Sequence, residues 1–173
     1  MGKIMDDPAL EDLARQVGLA LAGQGLMLAS AESCTGGWLG QTITSIAGSS
    51  AWYERGFITY ADISKREMLG VRSKTLEQNG AVSREVAYEM AEGAITRSHS
   101  QVAVSITGIA GPDGGTAEKP VGMVCFAWLM KDGLALTETR YFSGSREAIR
   151  RQAVAGALQG VIDLLQGIPP VTA

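Results

Sequence analysis

Apolar positions recur along this chain at two spacings, and the switches between them mark out its elements. Over residues 8–22, Leu10, Leu13, Ala14, Val17 and Leu21 share one helical face; Pro8 suits the first turn, and Gly23 and Gly25 end it. LMLASA (26–31) is a short unbroken apolar run and reads as a buried strand. Helical spacing returns over 36–46, with Leu39, Ile43 and Ile46 inward, and FITYA (57–61) is β-rich. SKREML then opens a helix, with Ser64 and Glu67 in capping-box spacing. A further helix over 84–97 has Ser83 as its N-cap and Val86, Met90 and Ala94 as its stripe. QVAVSIT (101–107) is too apolar for a half-exposed strand, and MVCFAWLM with ALTETRYFS predicts a hairpin turned at Lys131-Asp132-Gly133. The last helix, SREAIRRQAVAGALQGVIDLL, faces inward through Val154, Leu158, Val161, Ile162 and Leu165. Helices alternating with buried strands, then a late hairpin, predict an α/β fold: a three-layer α/β/α domain on a mixed, largely parallel sheet.

Composition narrows this picture. The 173 residues are expected to form one domain with its core at about 8–167; 46% of residues are hydrophobic and 19% charged, which excludes a disordered chain. No apolar run approaches the ~18 residues of a membrane span, and a net charge of −3 argues against a nucleic-acid surface. MGKIMDDPALEDLARQ has neither the apolar core nor the cleavage site of a secretory signal, and MGKIMD lacks a myristoylation pattern. Cys34, Cys125 and the single His99 make no metal-ligand spacing, so no metal is expected, and two reduced thiols suit a cytoplasmic protein. The 22 glycines exceed the average of about 7% and gather at element ends (23–25, 36–40, 108–115 and 122), where turns and close backbone approaches are expected.

One octapeptide draws the chemistry to itself. SAESCTGG (30–37) packs two hydroxyls, a thiol and a carboxylate into the end of a predicted strand, with two glycines following. It reads as a tight turn, a phosphate cradle or the seat of a nucleophile. Ligands of open α/β sheets gather at the carboxyl ends of parallel strands, and that edge also receives Tyr60 and TGIAGPDGGT. His99 precedes its strand and belongs at the opposite edge, so no histidine is available as a base. Lysine is the best substitute, and Lys65 sits near a predicted helix start, where the dipole disfavours its charge by about 0.3–1 kcal/mol. That is under one pKa unit, so burial must supply most of the shift from about 10.4. Taken alone, Ser33 reads as a helix cap and Lys65 as a solvated lysine. Cys34 is intrinsically the better nucleophile but needs a partner to stabilise its thiolate.

SAESCTGGWLGQTITSIAGSSAWYERGFITYADISKREMLGV, followed in order by NGAVSREVAYEMAEGAITRS, VSITGIAGPDGGTAEKPVG and FSGSRE, strongly resembles the CinA C-terminal domain family over roughly residues 8–167. The resemblance implies nicotinamide-nucleotide amidase activity: deamidation of nicotinamide mononucleotide (NMN) to nicotinate mononucleotide and ammonia. It implies Ser33 as nucleophile, Lys65 as base and Tyr60 in the same polar cluster. For substrate binding it implies Ser50, Thr107 and Arg146, with the Gly108–Gly111 loop approaching the ligand through its backbone. The amides around Thr35 and Gly36, to Gly37, are the expected oxyanion donors. No cofactor is required by such a scheme, NMN is the expected small-molecule partner, and a homo-oligomer, dimer or higher, is implied. A non-catalytic nucleotide-binding module of the same family is the alternative.

Overall fold

The computed structural model describes residues 7–167; the amino-terminal hexapeptide read above for targeting signals lies outside the described residues. Five strands form one sheet in the order β2-β1-β3-β4-β5. They are β1 (Leu28–Glu32), β2 (Tyr53–Ile58), β3 (Val102–Gly108), β4 (Met123–Met130) and β5 (Ala135–Tyr141). β1 pairs parallel with β2 and β3, whereas β3–β4 and β4–β5 are antiparallel, so four strands run one way and only β4 runs against them. The hairpin of β4 and β5 is the one the hydrophobic pattern predicts.

Strand alternation supplies two cores. On one face α1 (Asp7–Gln24), α2 (Trp38–Thr44) and α6 (Arg146–Gln166) pack on Leu28, Val104, Ile106, Phe126 and Trp128. On the other, α3 (Asp62–Leu69), α4 (Ser73–Asn79) and α5 (Arg84–Thr96) lie over a floor rich in small residues, Ala29, Ala31, Ala103 and Ala127. Small side chains there let α5 sit close. Gly93 of α5 comes so near α3 that an added Cβ would fall 2.1 Å from the Leu69 carbonyl oxygen. Trp128 is buried and its indole N–H donates to Ala157 O at 2.9 Å, which ties β4 to α6.

Several boundaries differ from the sequence reading, and one helix is new. β2 ends at Ile58, before Tyr60. α3 begins at Asp62 behind an extended Ala61, so Ser64 lies in its first turn and donates to Ala61 O at 2.6 Å; it is not the N-cap. The capping-box spacing of Ser64 and Glu67 therefore caps nothing. α4, between Gly70 and Gly80, was not predicted, because seven residues are too few to show a period. The chain leaves β1 toward α2 on one face and leaves its neighbour β2 toward α3 on the other. Such a divergence opens a crevice at the carboxyl ends of the two strands.

Candidate active site

Ser33 follows β1 directly and stays registered to the sheet, its N–H donating to Ile106 O at 2.9 Å. The chain then reverses: Gly36 N–H donates to Ser33 O at 3.1 Å, and Gly36 and Gly37 take φ values of 57° and 98°. Only glycine adopts that left-handed backbone without strain, which is the physical need behind the paired glycines. They also delay α2 until Trp38, so Ser33 is not its cap. The cap is a carboxylate instead. Glu32, 2% exposed, accepts hydrogen bonds from Thr35 Oγ1 (2.7 Å) and from the N–H groups of Gly37 (3.2 Å), Leu39 (2.9 Å) and Gly40 (3.1 Å). It holds the start of α2 and thereby the turn that presents Ser33. Glu32→Ala leaves these donors without an acceptor and is expected to destabilise the fold by about 3 kcal/mol, read from urea unfolding; a loss below about 1 kcal/mol would show that the carboxylate does not hold the turn. Sequence reasoning passed over Glu32. The signal was an acid closing an otherwise apolar strand.

Opposite Ser33 stands Lys65, only 1% exposed on the first turns of α3. Its Nζ lies 3.1 Å from Ser33 Oγ, 2.8 Å from Thr59 O and 3.2 Å from Tyr60 O. Burial lowers its pKa below the ordinary lysine value, against the opposing pull of Asp62, whose carboxylate is 3.9 Å away and exposed to solvent. The partner set decides the proton geometry. Two of the three partners are carbonyls, which can only accept, and a neutral amine has two N–H groups and one lone pair. In the neutral form the lone pair is therefore left for Ser33, positioned to receive its hydroxyl proton, whereas the ammonium form donates to Oγ. The adjacent thiol has the reverse fate: burial pushes Cys34 up to about 12, so it stays protonated and is a poor nucleophile.

The pair opens into a cleft of about 270 Å³ lined also by Tyr60, Thr107, Gly108, Gly111, Asp113 and Arg146. Tyr60 is 62% exposed at its mouth; its hydroxyl accepts from Arg146 at 3.1 Å, while its carbonyl serves Lys65. Arg146, at the start of α6, also donates to Gly111 O at 2.7 Å and so ties the glycine loop to the rim. Thr107 is buried and spends its proton on Ala81 O at 2.8 Å. At Gly108 an added Cβ would sit 2.7 Å from Val124 and 3.2 Å from Cys34 Sγ, so the cleft floor admits no side chain there. Lys119 donates to Asn79 O and Val82 O and braces the wall behind; it too was missed in the sequence.

Two expectations are corrected. Ser50 lies in the short 3-10 turn Ser49–Ala51 that precedes β2, at the amino end of the parallel strands, and is not brought to this cleft. The amides of Gly36 and Gly37 already serve Ser33 O and Glu32, so neither a phosphate cradle nor an oxyanion donor can be built from them. Thr35 is buried with its hydroxyl on Glu32, which leaves only its backbone N–H for a ligand. His99 stands at the opposite edge beside Glu54, as the sequence predicts. A second, larger cleft of about 660 Å³ lies between α1, α2 and α6 and shares Arg146, but it holds neither Ser33 nor Lys65.

A three-layer α/β domain with a buried serine–lysine pair at the carboxyl ends of its strands is the class that fold and site define. Within that class, the chain belongs to the CinA C-terminal domain family, whose model matches residues 10–165. It is 56% identical over 155 residues to the nicotinamide-nucleotide amidohydrolase PncC of Escherichia coli K12, an alignment covering 90% of this chain and 94% of that protein. It is 45% identical to the PncC of Pseudomonas putida, covering 91% and 98%. The crystal structure of the competence/damage-inducible protein CihA from Agrobacterium tumefaciens superposes with a TM-score of 0.88 at 47% identity, covering 96% of this chain and 99% of that one. Among the described residues, no helix is long and apolar enough to cross a membrane.

Proposed function

We propose that this chain is an amidohydrolase that deamidates NMN to nicotinate mononucleotide and ammonia, through Ser33 as nucleophile and Lys65 as base. The observation that carries the reading is the 3.1 Å approach to Ser33 Oγ of a buried lysine whose two carbonyl partners leave its neutral form a lone pair for that hydroxyl. The substrate is taken from the relatives of this length that bear the amidohydrolase name.

Neutral Lys65 accepts the Ser33 proton as Oγ attacks the ring carboxamide carbon. The tetrahedral intermediate collapses by breaking the C–N bond, and Lys65 returns the proton to the departing nitrogen, which leaves as ammonia. Water then attacks the acyl ester, Lys65 takes its proton, and Ser33 leaves with that proton restored. Arg146 is the cationic partner for the substrate phosphate, and Gly108 and Gly111 let backbone approach the nucleotide. The scheme needs no cofactor. A binding module is less well supported: it would use neither the buried amine nor the serine, and the turn amides it needs for phosphate are taken. The same reading makes the chain a single-domain cytoplasmic enzyme working as a homo-oligomer, dimer or higher.

The test is product analysis after incubation with NMN. Equal amounts of nicotinate mononucleotide and ammonia are expected. Recovery of intact NMN, or release of free nicotinamide, would reject the assignment.

A further inference from the structure

We propose that Arg150, which touches neither Ser33 nor Lys65, is a positioning residue that preforms the oxyanion hole by aiming the Thr35 N–H; this rests on the amidohydrolase reading above. Arg150 rises from α6 on the side of the nucleophile turn away from the catalytic cleft. It lines the larger cleft, whereas Ser33 and Cys34 line the smaller one. Its Nε donates to Cys34 O at 3.0 Å and its NH2 group to Thr35 O at 3.1 Å. Its guanidinium is stacked over Trp38, 5.2 Å from the ring centroid, which fixes the plane of the fork.

A trans peptide carries its C=O and the following N–H in opposite directions. Drawing the Cys34 carbonyl toward Arg150 therefore turns the Thr35 N–H away from it, toward the Ser33 side of the turn. Drawing the Thr35 carbonyl the same way turns the Gly36 N–H over to Ser33 O, where it is found at 3.1 Å. Glu32 then takes the Gly37 amide. Of the amides from Ser33 to Gly37, that of Thr35 alone meets no acceptor among the described residues, since the Cys34 N–H turns to its own thiol. It follows the nucleophile by two positions and is the donor left to meet the oxygen that becomes negative when Oγ attacks. Without Arg150 both peptide units can rotate, and a rotated unit offers that oxygen a carbonyl instead of an N–H.

The experiment compares wild type, Arg150→Met and Arg150→Lys on NMN and on pyridine-3-carbaldehyde. The aldehyde adds Ser33 Oγ to its carbonyl carbon, the C=O π pair moves to oxygen, and the hydroxyl proton passes to Lys65. The adduct thus puts an oxyanion where the hole must be, with no leaving group. Arg150→Met is expected to lower kcat on NMN by about 10²-fold, the loss typical of one oxyanion donor, with KM within about twofold of wild type. Aldehyde affinity should fall in parallel, and Arg150→Lys, which keeps a cationic donor group on one nitrogen but not the two-nitrogen fork, should recover about a tenth to a half of the wild-type kcat. Should the methionine variant not fold, the lysine variant carries the same comparison, with kcat and aldehyde affinity falling together. A variant that folds and keeps wild-type kcat, or whose loss appears in KM with aldehyde affinity unchanged, overturns the proposal. Wild type that is itself inactive on NMN rejects the amidohydrolase reading instead, so the two failures are distinguishable.

Discussion

Ser33→Ala is expected to lower ammonia release from NMN by ~10⁴-fold or more, the scale on which removal of an activated nucleophile acts. The folded state should hardly notice. Ser33 is registered to the sheet through its backbone N–H, and its hydroxyl contributes a single side-chain hydrogen bond, to Lys65. Losing that bond costs about 1 kcal/mol or less, because Nζ keeps both carbonyl partners. Steady-state assays of ammonia release beside urea unfolding decide the matter: activity near wild type in the alanine variant would remove Ser33 from the mechanism, and Cys34, with its thiol held protonated, is not an obvious replacement.

Lys65→Met should be comparably inactive, and Lys65→Arg no better, since a guanidinium stays protonated and cannot take the serine proton. Methionine roughly matches the lysine stem and leaves the Thr59 and Tyr60 carbonyls without their donor. It also removes a buried amine, so unfolding free energy should change by about 2 kcal/mol at most. The pH dependence separates base from bystander. Because burial lowers the folded-state pKa of Lys65, the reactive neutral form gains population at lower pH than in free lysine. For the wild type, kcat/KM should rise with pH through an apparent pKa below about 10.4 and then level off. The linked stability has the same sign. Between the lowered folded pKa and the unfolded value the unfolded chain binds more protons at this site, so wild-type stability relative to Lys65→Met increases with pH across that window. A kcat/KM profile that is flat from pH 6 to about 10 would remove Lys65 as the base.

Much of the layout was legible because hydrophobic period is a local property. The Val86, Met90 and Ala94 stripe, the Ser83 cap, the buried QVAVSIT strand and the hairpin at Lys131-Asp132-Gly133 all stand where the pattern predicts them. Errors fell where a neighbour in space overrode the pattern. The Ser64 capping box lost to an earlier helix start at Asp62, and the Ser33 cap lost to Glu32, whose carboxylate reaches the amides of residues up to eight positions ahead. Ser50 follows the motif closely in sequence, yet the 3-10 turn before β2 carries it to the other end of the sheet.

The order of residues along the chain was enough to select the layers, since amphipathic spacing and a strand-end glycine turn are written in neighbouring positions. Ser33 and Lys65 were singled out by the resemblance of their motifs to the CinA C-terminal domain family. Only the packed fold decided that those two meet, with Nζ 3.1 Å from Oγ. Proton affinity depends on how much water surrounds the amine and which acceptors face it, and both were set when β2 and α3 closed over Lys65 beside the end of β1. Burial and partner geometry are relations between distant segments, and no local pattern encodes them.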